Sequence, residues 1–352
     1  MYPFTADVYA AKNRWYVASF SRDVSRKPVE RWILDEPVVL YRKKDGSAVA
    51  LEGRCAHRHF PLAEGTLVGN SIQCPYHGFV YGPDGRNERI PSQDRPSARC
   101  SIKAFPVQEK WRWIWIWMGD PALADISLIP NHGEIGLEDP SLTTDEILHE
   151  EFEARYQLIH DNLMDLTHVA FLHRNTLGGG SDDTASAEFL ERDGDGWMEG
   201  ERTIRNVPTI PHFAGYLGYD GLCDRIIGQR FYLPALHFGW DRYVYPEGHE
   251  QAGTTFGKLL VYHGITPARR NSSHYFFAIA RDFGREAQEQ MRAATSAVIQ
   301  EDVWGLSHVE RVIRSFGGTP PPEFSARADT HQLKARRKLE AMIVDEQQAL
   351  GA

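Results

Sequence analysis

Two short segments of the N-terminal third each offer one thiol and one imidazole. Cys55 and His57 are separated by one residue, Cys74 and His77 by two, and sixteen residues lie between the pairs. Two such loops can supply four ligands to a zinc ion, or to a binuclear iron–sulfur cluster in which two cysteines hold one iron and two histidines the other. Glycines and prolines beside both pairs favour tight turns. The spacing therefore predicts that the loops meet at one metal centre, with the nearby His59 as a surface or supporting histidine.

A second group of candidate ligands lies in a stretch with helical periodicity, from about residue 156 to 169. Asp165 and His168 are three residues apart and share one helix face. His173 follows five residues after His168, about 140° round an ideal helix. The helix must therefore bend or end if both histidines are to reach one metal ion.

Both groups lie in motifs that resemble those of the Rieske non-haem iron oxygenases. The helical stretch contains N-x-x-D-x-x-H-x-x-x-x-H, from Asn162 to His173, and the second loop lies in the run Gly65-x-Leu67-Val68, Ile72-x-Cys74-Pro75-Tyr76-His77-Gly78-Phe79-x-Tyr81, Gly85. The resemblance implies that the first group binds a Rieske [2Fe–2S] cluster. It also implies that His168 and His173 bind a mononuclear Fe(II) together with a distant carboxylate, a ligand set that leaves positions open for O₂.

The distant carboxylate should lie in the predicted helix of residues 285–315, where Glu301 and Asp302 are the candidates. Apolar residues lie four positions before and after Asp302, and Val309 and Ile313 continue this stripe, so we expect Asp302 to face the core. Glu301 is expected to be more peripheral. Because a carboxylate that faces a core needs a partner, and a metal ion is a suitable one, Asp302 is the predicted ligand.

The resemblance also assigns roles to two further residues of the helical stretch. Asp165 resembles the aspartate that links a cluster-ligand histidine of one subunit to an iron-ligand histidine of the next. His77 of one chain would then approach Asp165 and His168 of its neighbour, and we expect the Asp165 carboxylate to accept a hydrogen bond from the His168 ring. Electron transfer would require an oligomer, usually a homotrimer. Asn162 matches a family position near the iron, although a local hydrogen bond would also explain it.

The C-terminal half resembles the branch of vanillate O-demethylase and dicamba monooxygenase, through His263-Gly264-Ile265-Thr266-Pro267 and His274-Tyr275-Phe276-Phe277. This implies an oxygenase component that uses O₂ to hydroxylate a methyl group on O or N of a small aromatic compound. The hydroxylated methyl group is then lost as formaldehyde. The sequence contains neither a G-x-G-x-x-G fingerprint nor a P-loop. We therefore expect a separate ferredoxin or flavin reductase to supply the electrons.

The elements that must position these residues change character along the chain. Residues 1 to about 120 contain short runs rich in β-branched and aromatic residues between turn signals, which is typical of an all-β domain. Residues 121–140 are a predicted connector, and strands followed by long helices near 285–315 and 329–350 occupy the remainder to 352. This order favours an α+β fold. The resemblance implies an N-terminal all-β Rieske domain and a helix-grip catalytic domain, an antiparallel sheet around a long helix.

Composition narrows the possible partners. The chain has 352 residues, 42% of them hydrophobic, and a formal net charge of −9, which disfavours a nucleic-acid partner. Its apolar runs are far shorter than the ~20 residues that span a bilayer. The first residues lack the features of a signal peptide, so we expect the cytoplasm, where clustered Cys and His more often bind metal than form disulfides. Cys100 and Cys223 have no metal-spaced partner and are predicted to be packed thiols.

Three alternatives remain open at this level. The same iron site could hydroxylate or cis-dihydroxylate an aromatic or alicyclic ring. A Rieske electron carrier without catalysis would use the first group of ligands and leave the second superfluous. A zinc-stabilised binding protein would use the same ligand types as the first group.

Overall fold

The computed structural model describes residues 8–130, 136–178, 187–317 and 320–351. These residues divide into an N-terminal unit, Ala10–Pro130 together with Thr266–Arg270, and a C-terminal unit that contains the rest. The short segment Thr266–Arg270 belongs to the N-terminal unit although it comes much later in the chain. One of its contacts there is a hydrogen bond of 2.9 Å from the Leu34 N–H to the Pro267 carbonyl. No helix in the described ranges is long and apolar enough to cross a membrane.

The N-terminal unit is built from the strands β1 (Trp15–Phe20), β2 (Val29–Ile33), β3 (Glu36–Arg42), β4 (Ala48–Glu52), β5 (Thr66–Val68), β6 (Ser71–Gln73), β7 (Val80–Tyr81), β8 (Asn87–Arg89), β9 (Ala104–Phe105), β10 (Val107–Lys110) and β11 (Trp113–Trp117). They form antiparallel sheets with the strand orders β1-β11-β10, β2-β3-β4-β9 and β5-β6-β7-β8. The central strand of the first sheet, β11, alternates Trp and Ile, and all of its residues are buried, as expected of a strand covered on both faces.

The C-terminal unit consists of strands and helices in the order β12 (Thr143–Phe152), α1 (Tyr156–Met164), α2 (Val169–Leu172), β13 (Glu188–Gly194), β14 (Trp197–Pro208), α3 (Pro211–Leu217), β15 (Leu222–Tyr232), β16 (Leu236–Val244), β17 (Thr255–Arg269), β18 (Ser272–Arg281), α4 (Gln288–Ser315) and α5 (Thr330–Gly351). The strands form one seven-stranded antiparallel sheet with the order β12-β18-β17-β16-β15-β14-β13. Three of the helices lie between strands of this sheet in the sequence, and the two longest follow its last strand.

The long helix α4 buries one stripe of residues and contacts both β12 and α1. The buried set is Met291, Ile299, Asp302, Val303, Leu306, Glu310 and Ile313, which follows the three-to-four-residue spacing of a single helix face. A sheet with a long helix against it is the predicted architecture, and the α+β prediction is confirmed.

Two buried ion pairs hold α1 between the terminal helices. Glu310 of α4 accepts hydrogen bonds from the Arg155 guanidinium at 2.6 and 2.9 Å, and Asp161 of α1 accepts from Arg336 of α5 at 2.9 and 2.6 Å. Removing one partner of such a pair costs about 3–5 kcal/mol, because the other charge stays buried.

The predicted apolar stripe of helix α4 is wrong at Val309. The Val309 side chain is 46% exposed, and Glu310 occupies the buried position beside it.

Candidate metal centres

The two cysteine loops of the N-terminal unit have the same backbone geometry. In each, the cysteine N–H donates to the carbonyl five residues later, at 2.9 Å for Cys55 and 2.8 Å for Cys74, and the cysteine carbonyl accepts from the N–H four residues later. The latter residue has positive φ in both loops, 56° at His59 and 73° at Gly78. His59 is therefore an exposed turn residue and the counterpart of Gly78, consistent with its interpretation as a surface histidine.

The loops bring like ligands together. Cys55 and Cys74 lie in one buried cluster, close enough for Cys55 to raise the pKa of the Cys74 thiol, and the His57 and His77 rings lie 4.5 Å apart between centroids. Both cysteines are buried, whereas His77 is exposed. A cysteine pair beside a histidine pair matches a binuclear cluster with one iron for each pair, rather than four equivalent ligands around one zinc ion.

Two further observations indicate that this site suits a metal cluster. Burial, with Cys55 next to it, raises the pKa of Cys74, so the thiolate form needs a positive partner. His57 Nδ1 is buried without a hydrogen-bond partner in the described structure, as expected of an atom that awaits a ligand. The Tyr81 hydroxyl lies 3.1 Å from Cys55 Sγ and can donate to it.

In the C-terminal unit the chain leaves the helix between the two histidines. Helix α1 ends at Met164, earlier than the predicted position near 169. The Asp165 side chain caps the next turn, because its carboxylate accepts from the Thr167 N–H at 2.9 Å and from the Thr167 hydroxyl at 3.0 Å. This break, a 3₁₀ turn followed by the short helix α2, supplies the bend that the spacing of His168 and His173 requires.

His168, His173 and Asp302 meet at one point, with one ligand atom from each within 4.8 Å of the others. Asp302 Oδ1 lies 3.1 Å from His173 Nε2 and 3.7 Å from His168 Nε2. The other ring nitrogens are engaged elsewhere: His168 Nδ1 lies 2.6 Å from the Asp165 backbone carbonyl and His173 Nδ1 lies 2.8 Å from a Glu301 carboxylate oxygen. Both rings therefore direct Nε2 to a common centre, an arrangement that suits an octahedral iron with open positions.

The local electrostatics differ between the two histidines. Burial lowers the pKa of His168, which keeps it neutral and able to act as a ligand. Burial also acts downward on His173, but Asp302 and Glu301 outweigh it and raise the pKa. A bound metal ion would replace the proton that Asp302 and Glu301 favour there, since metal binding and protonation compete for the same nitrogen.

Two supporting residues differ from their sequence-based interpretation. The His168 ring bonds to the Asp165 backbone carbonyl and not to its carboxylate, which is used in capping the turn. Glu301 was expected to be peripheral, yet it orients His173 and is itself held by the Thr176 hydroxyl at 2.6 Å. The periodicity of α4 alone could not reveal this role, because the contact depends on what packs beside the helix. Asn162 donates to Asp302 Oδ1 at 2.9 Å.

A cavity of about 410 Å³ is lined by His168, His173 and Asp302 and otherwise mainly by apolar side chains. Its floor is one face of β15–β17, where cross-strand neighbours form the rows Ile227–Asp241–Leu259 and Gln229–Gly239–Val261. His263 lies in the wall, with Nδ1 2.6 Å from the Tyr275 hydroxyl, and burial lowers its pKa to about 3. Such a cavity suits a small aromatic molecule.

Comparison with known proteins agrees with this geometry. Residues 14–106 match the Rieske [2Fe-2S] domain, and residues 152–345 match the vanillate O-demethylase oxygenase C-terminal domain. The chain is 34% identical to the oxygenase component of chloroacetanilide N-alkylformylase from Rhizorhabdus wittichii, over 94% of this chain and 95% of that one. It is 35% identical to the oxygenase component of dicamba O-demethylase from Stenotrophomonas maltophilia, over 85% and 88%.

Among solved structures, dicamba monooxygenase bound to 3,6-dichlorosalicylic acid superposes with a TM-score of 0.84 at 31% identity, covering 97% of this chain and 99% of that one. The match spans both units, and a family model covers each of them. The chain therefore belongs to the Rieske non-haem iron oxygenases of the vanillate O-demethylase and dicamba monooxygenase branch, and is the oxygenase component of a monooxygenase that carries a Rieske [2Fe–2S] cluster and a mononuclear iron and uses O₂.

Proposed function

We propose that the chain removes a methyl group from O or N of a small aromatic compound, with His168, His173 and Asp302 as the ligands of the mononuclear iron. The observation that carries the proposal is the convergence of these three side chains in the lining of a mainly apolar cavity. The match to the vanillate O-demethylase oxygenase C-terminal domain and the similarity to the dicamba O-demethylase component favour this outcome over ring hydroxylation.

The surrounding residues prepare this site before any substrate binds. Asn162 holds Asp302 through a hydrogen bond to Oδ1, while Glu301 and the Asp165 carbonyl fix the two imidazole rings. Such supporting contacts set the tautomer and direction of metal-binding histidines. The mainly apolar lining offers a methylated ring a surface to pack against beside these three side chains. In the holoenzyme the cluster supplies single electrons and the mononuclear iron activates O₂.

The reaction balances with one O₂, two electrons and two protons. One methyl C–H bond becomes C–OH, and the second oxygen atom leaves as water. The hemiacetal or carbinolamine that results breaks its C–O or C–N bond, releasing formaldehyde and the demethylated product.

In this proposal Cys55, His57, Cys74 and His77 hold the cluster, in a Rieske domain that covers residues 1–120. Residues 121–140 connect it to a catalytic domain of residues 141–352. A ferredoxin or flavin reductase supplies the electrons in the cytoplasm, consistent with the designation of both relatives as oxygenase components. The active unit is a homotrimer in which the exposed His77 of one subunit approaches Asp165 of the next. The half-buried Asp165 carboxylate, which accepts one bond on each oxygen, retains lone pairs for that contact.

Metal analysis and product analysis together test the proposal. The purified protein should be brown, contain sulfide as well as iron, and show the low average g-value of an imidazole-ligated cluster when reduced. With a reductase and a panel of methoxylated, N-methylated and unmethylated aromatics, formaldehyde should form in equal amount to one demethylated product. A colourless protein with one zinc per chain would contradict the proposal, and cis-diols from unmethylated rings would assign the site to ring hydroxylation.

A further inference from the structure

One polar side chain in the floor of the cavity has an unmet hydrogen-bonding requirement. Gln229 of β15 is 8% exposed and lines the cavity, and its Nε2 has no hydrogen-bond partner among the described residues. Its cross-strand neighbour on β16 is Gly239, which has no side chain to cover the carboxamide. A buried N–H without an acceptor is unfavourable, so the Gln229 amide is suited to a ligand that brings an acceptor oxygen.

The cavity also contains one internally neutralised ion pair. Arg225 Nε lies 2.9 and 3.0 Å from the two Asp241 carboxylate oxygens, and Nη2 lies 2.6 Å from Oδ2. The Tyr243 hydroxyl donates to the same carboxylate at 3.0 Å. Asp241 is 8% exposed, so a ligand anion that drew Arg225 away would leave a carboxylate buried without its counter-charge. Such a rearrangement is strongly unfavourable.

Among the described residues that line the cavity, the basic side chains are Arg225, the two candidate iron ligands His168 and His173, and His263. His263, held by the Tyr275 hydroxyl, offers a neutral ring. A carboxylate or sulfonate on the aromatic ring would therefore enter a cavity whose one guanidinium is already occupied, and it would lose hydration without gaining an opposite charge.

We propose that the substrate is an uncharged aromatic compound with a carbonyl acceptor, such as an amide, ester or ketone, that receives a hydrogen bond from Gln229 Nε2, and that aromatic acids are disfavoured. This rests on the proposed demethylation, in that the ligand of the cavity is taken to be the substrate. The Arg225–Asp241 ion pair stays intact when the substrate binds and contributes a neutral surface to the cavity wall.

The test uses three methyl aryl ethers of similar size: 4-methoxybenzamide, 4-methoxybenzoate and 4-methylanisole. Their binding to the full-length holoenzyme is measured by calorimetry without an electron donor, so that no turnover occurs. The benzamide should bind about tenfold more tightly than either of the others, because only it gives Gln229 an uncharged carbonyl acceptor. Equal or tighter binding of the benzoate, or no binding of any of the three, would overturn the inference.

Two substitutions separate the roles of the side chains. Gln229→Leu should remove the preference for the benzamide over 4-methylanisole, while binding of 4-methylanisole changes less than about twofold. Thr295→Val, another polar-to-apolar change in the same lining, is the matched control and should leave the preference intact. Asp241→Asn should release Arg225 and strengthen benzoate binding about tenfold. If Gln229→Leu weakens all three ligands equally, or Asp241→Asn leaves the benzoate unchanged, the assignment is wrong.

Product analysis keeps this inference distinct from the proposed function. If the benzamide is preferred but no probe yields formaldehyde when a reductase is supplied, the demethylation proposal fails and the ligand class stands. If the benzoate is both preferred and demethylated, the ligand class fails and the demethylation proposal stands.

Discussion

The two proposed metal centres of this chain are built in opposite ways. The four residues proposed to hold the cluster lie on two loops separated by sixteen residues, and each loop is closed by backbone hydrogen bonds of its own. At the other centre, His168 and His173 lie on a broken helix, while Asp302 lies more than a hundred residues later on α4. The first centre depends on local turns and the second on the packing of distant elements, so changes to the protein should affect them separately.

The largest separation should come from removing a ligand at each centre. We expect Asp302→Ala to abolish product formation and to lose the mononuclear iron, because the two imidazoles alone do not hold it, while the visible spectrum of the cluster is unchanged. Cys74→Ala should lose the iron and sulfide of the cluster and keep the mononuclear iron. Metal analysis and electron paramagnetic resonance distinguish the two, and Glu289→Ala, on an exposed position of α4, is the control. Loss of both centres in either variant would contradict their independence.

The next largest effect concerns electron transfer between the centres. Asp165→Asn keeps the size and the turn-capping oxygen but loses the charge, so we expect both metals to be retained and electron transfer to slow by about 100-fold. Stopped-flow reoxidation of the reduced cluster measures the rate.

A mixing experiment decides whether the electron crosses a subunit boundary. Reassembling two inactive variants, His77→Ala and His168→Ala, should restore activity, because some subunit pairs then join an intact cluster to an intact iron site. Mixed oligomers confirmed by mass but without activity would show that electrons move within one chain.

A smaller effect is expected at Glu301, which touches the iron site through His173 only. Glu301→Gln keeps an acceptor for the His173 ring but removes the charge, and iron affinity measured against a chelator should fall about tenfold. Glu301→Ala should lose more, so that Gln gives partial rescue. Glu289→Gln on the same helix should have no effect. Unchanged iron affinity in Glu301→Ala would restore the view that this carboxylate is peripheral.

The smallest effect tests the local construction of the cluster loops. Gly78→Ala places a Cβ 2.9 Å from the Pro91 ring at a φ of 73°, whereas Gly69, with a φ of 67°, has open space around it. In Gly78→Ala and in the control Gly69→Ala, a side chain at positive φ costs about 1–2 kcal/mol of stability. Gly78→Ala should be the less stable of the two because of the additional contact with Pro91. Thermal loss of the cluster absorbance compares them, and equal midpoints would mean that Pro91 yields without cost.

The contrast between the centres also explains what could be predicted from the sequence. The cluster loops were recognisable because ligand spacing and turn residues are local properties. Asp302 was distinguishable from Glu301 because a buried helix face has apolar neighbours three and four residues away. Glu310 was missed for the opposite reason: its burial depends on Arg155, whose contact with α4 arises only in the fold. The hydrogen bond from His173 to Glu301 and the Arg225–Asp241 pair likewise join side chains from different elements, which no single-element periodicity encodes.

The membership of Thr266–Arg270 in the N-terminal unit has a consequence for exchanging parts between relatives. The tight turn between β2 and β3 has positive φ at Leu34 and Asp35, and the N–H groups of both residues donate to carbonyls of this distant segment, at 2.9 and 3.0 Å. Arg269 also lies over the Trp32 ring at 4.0 Å. A fragment that stops at Pro130 would lose these acceptors. A chimera that takes the N-terminal unit from this chain therefore has to include Thr266–Arg270 as well.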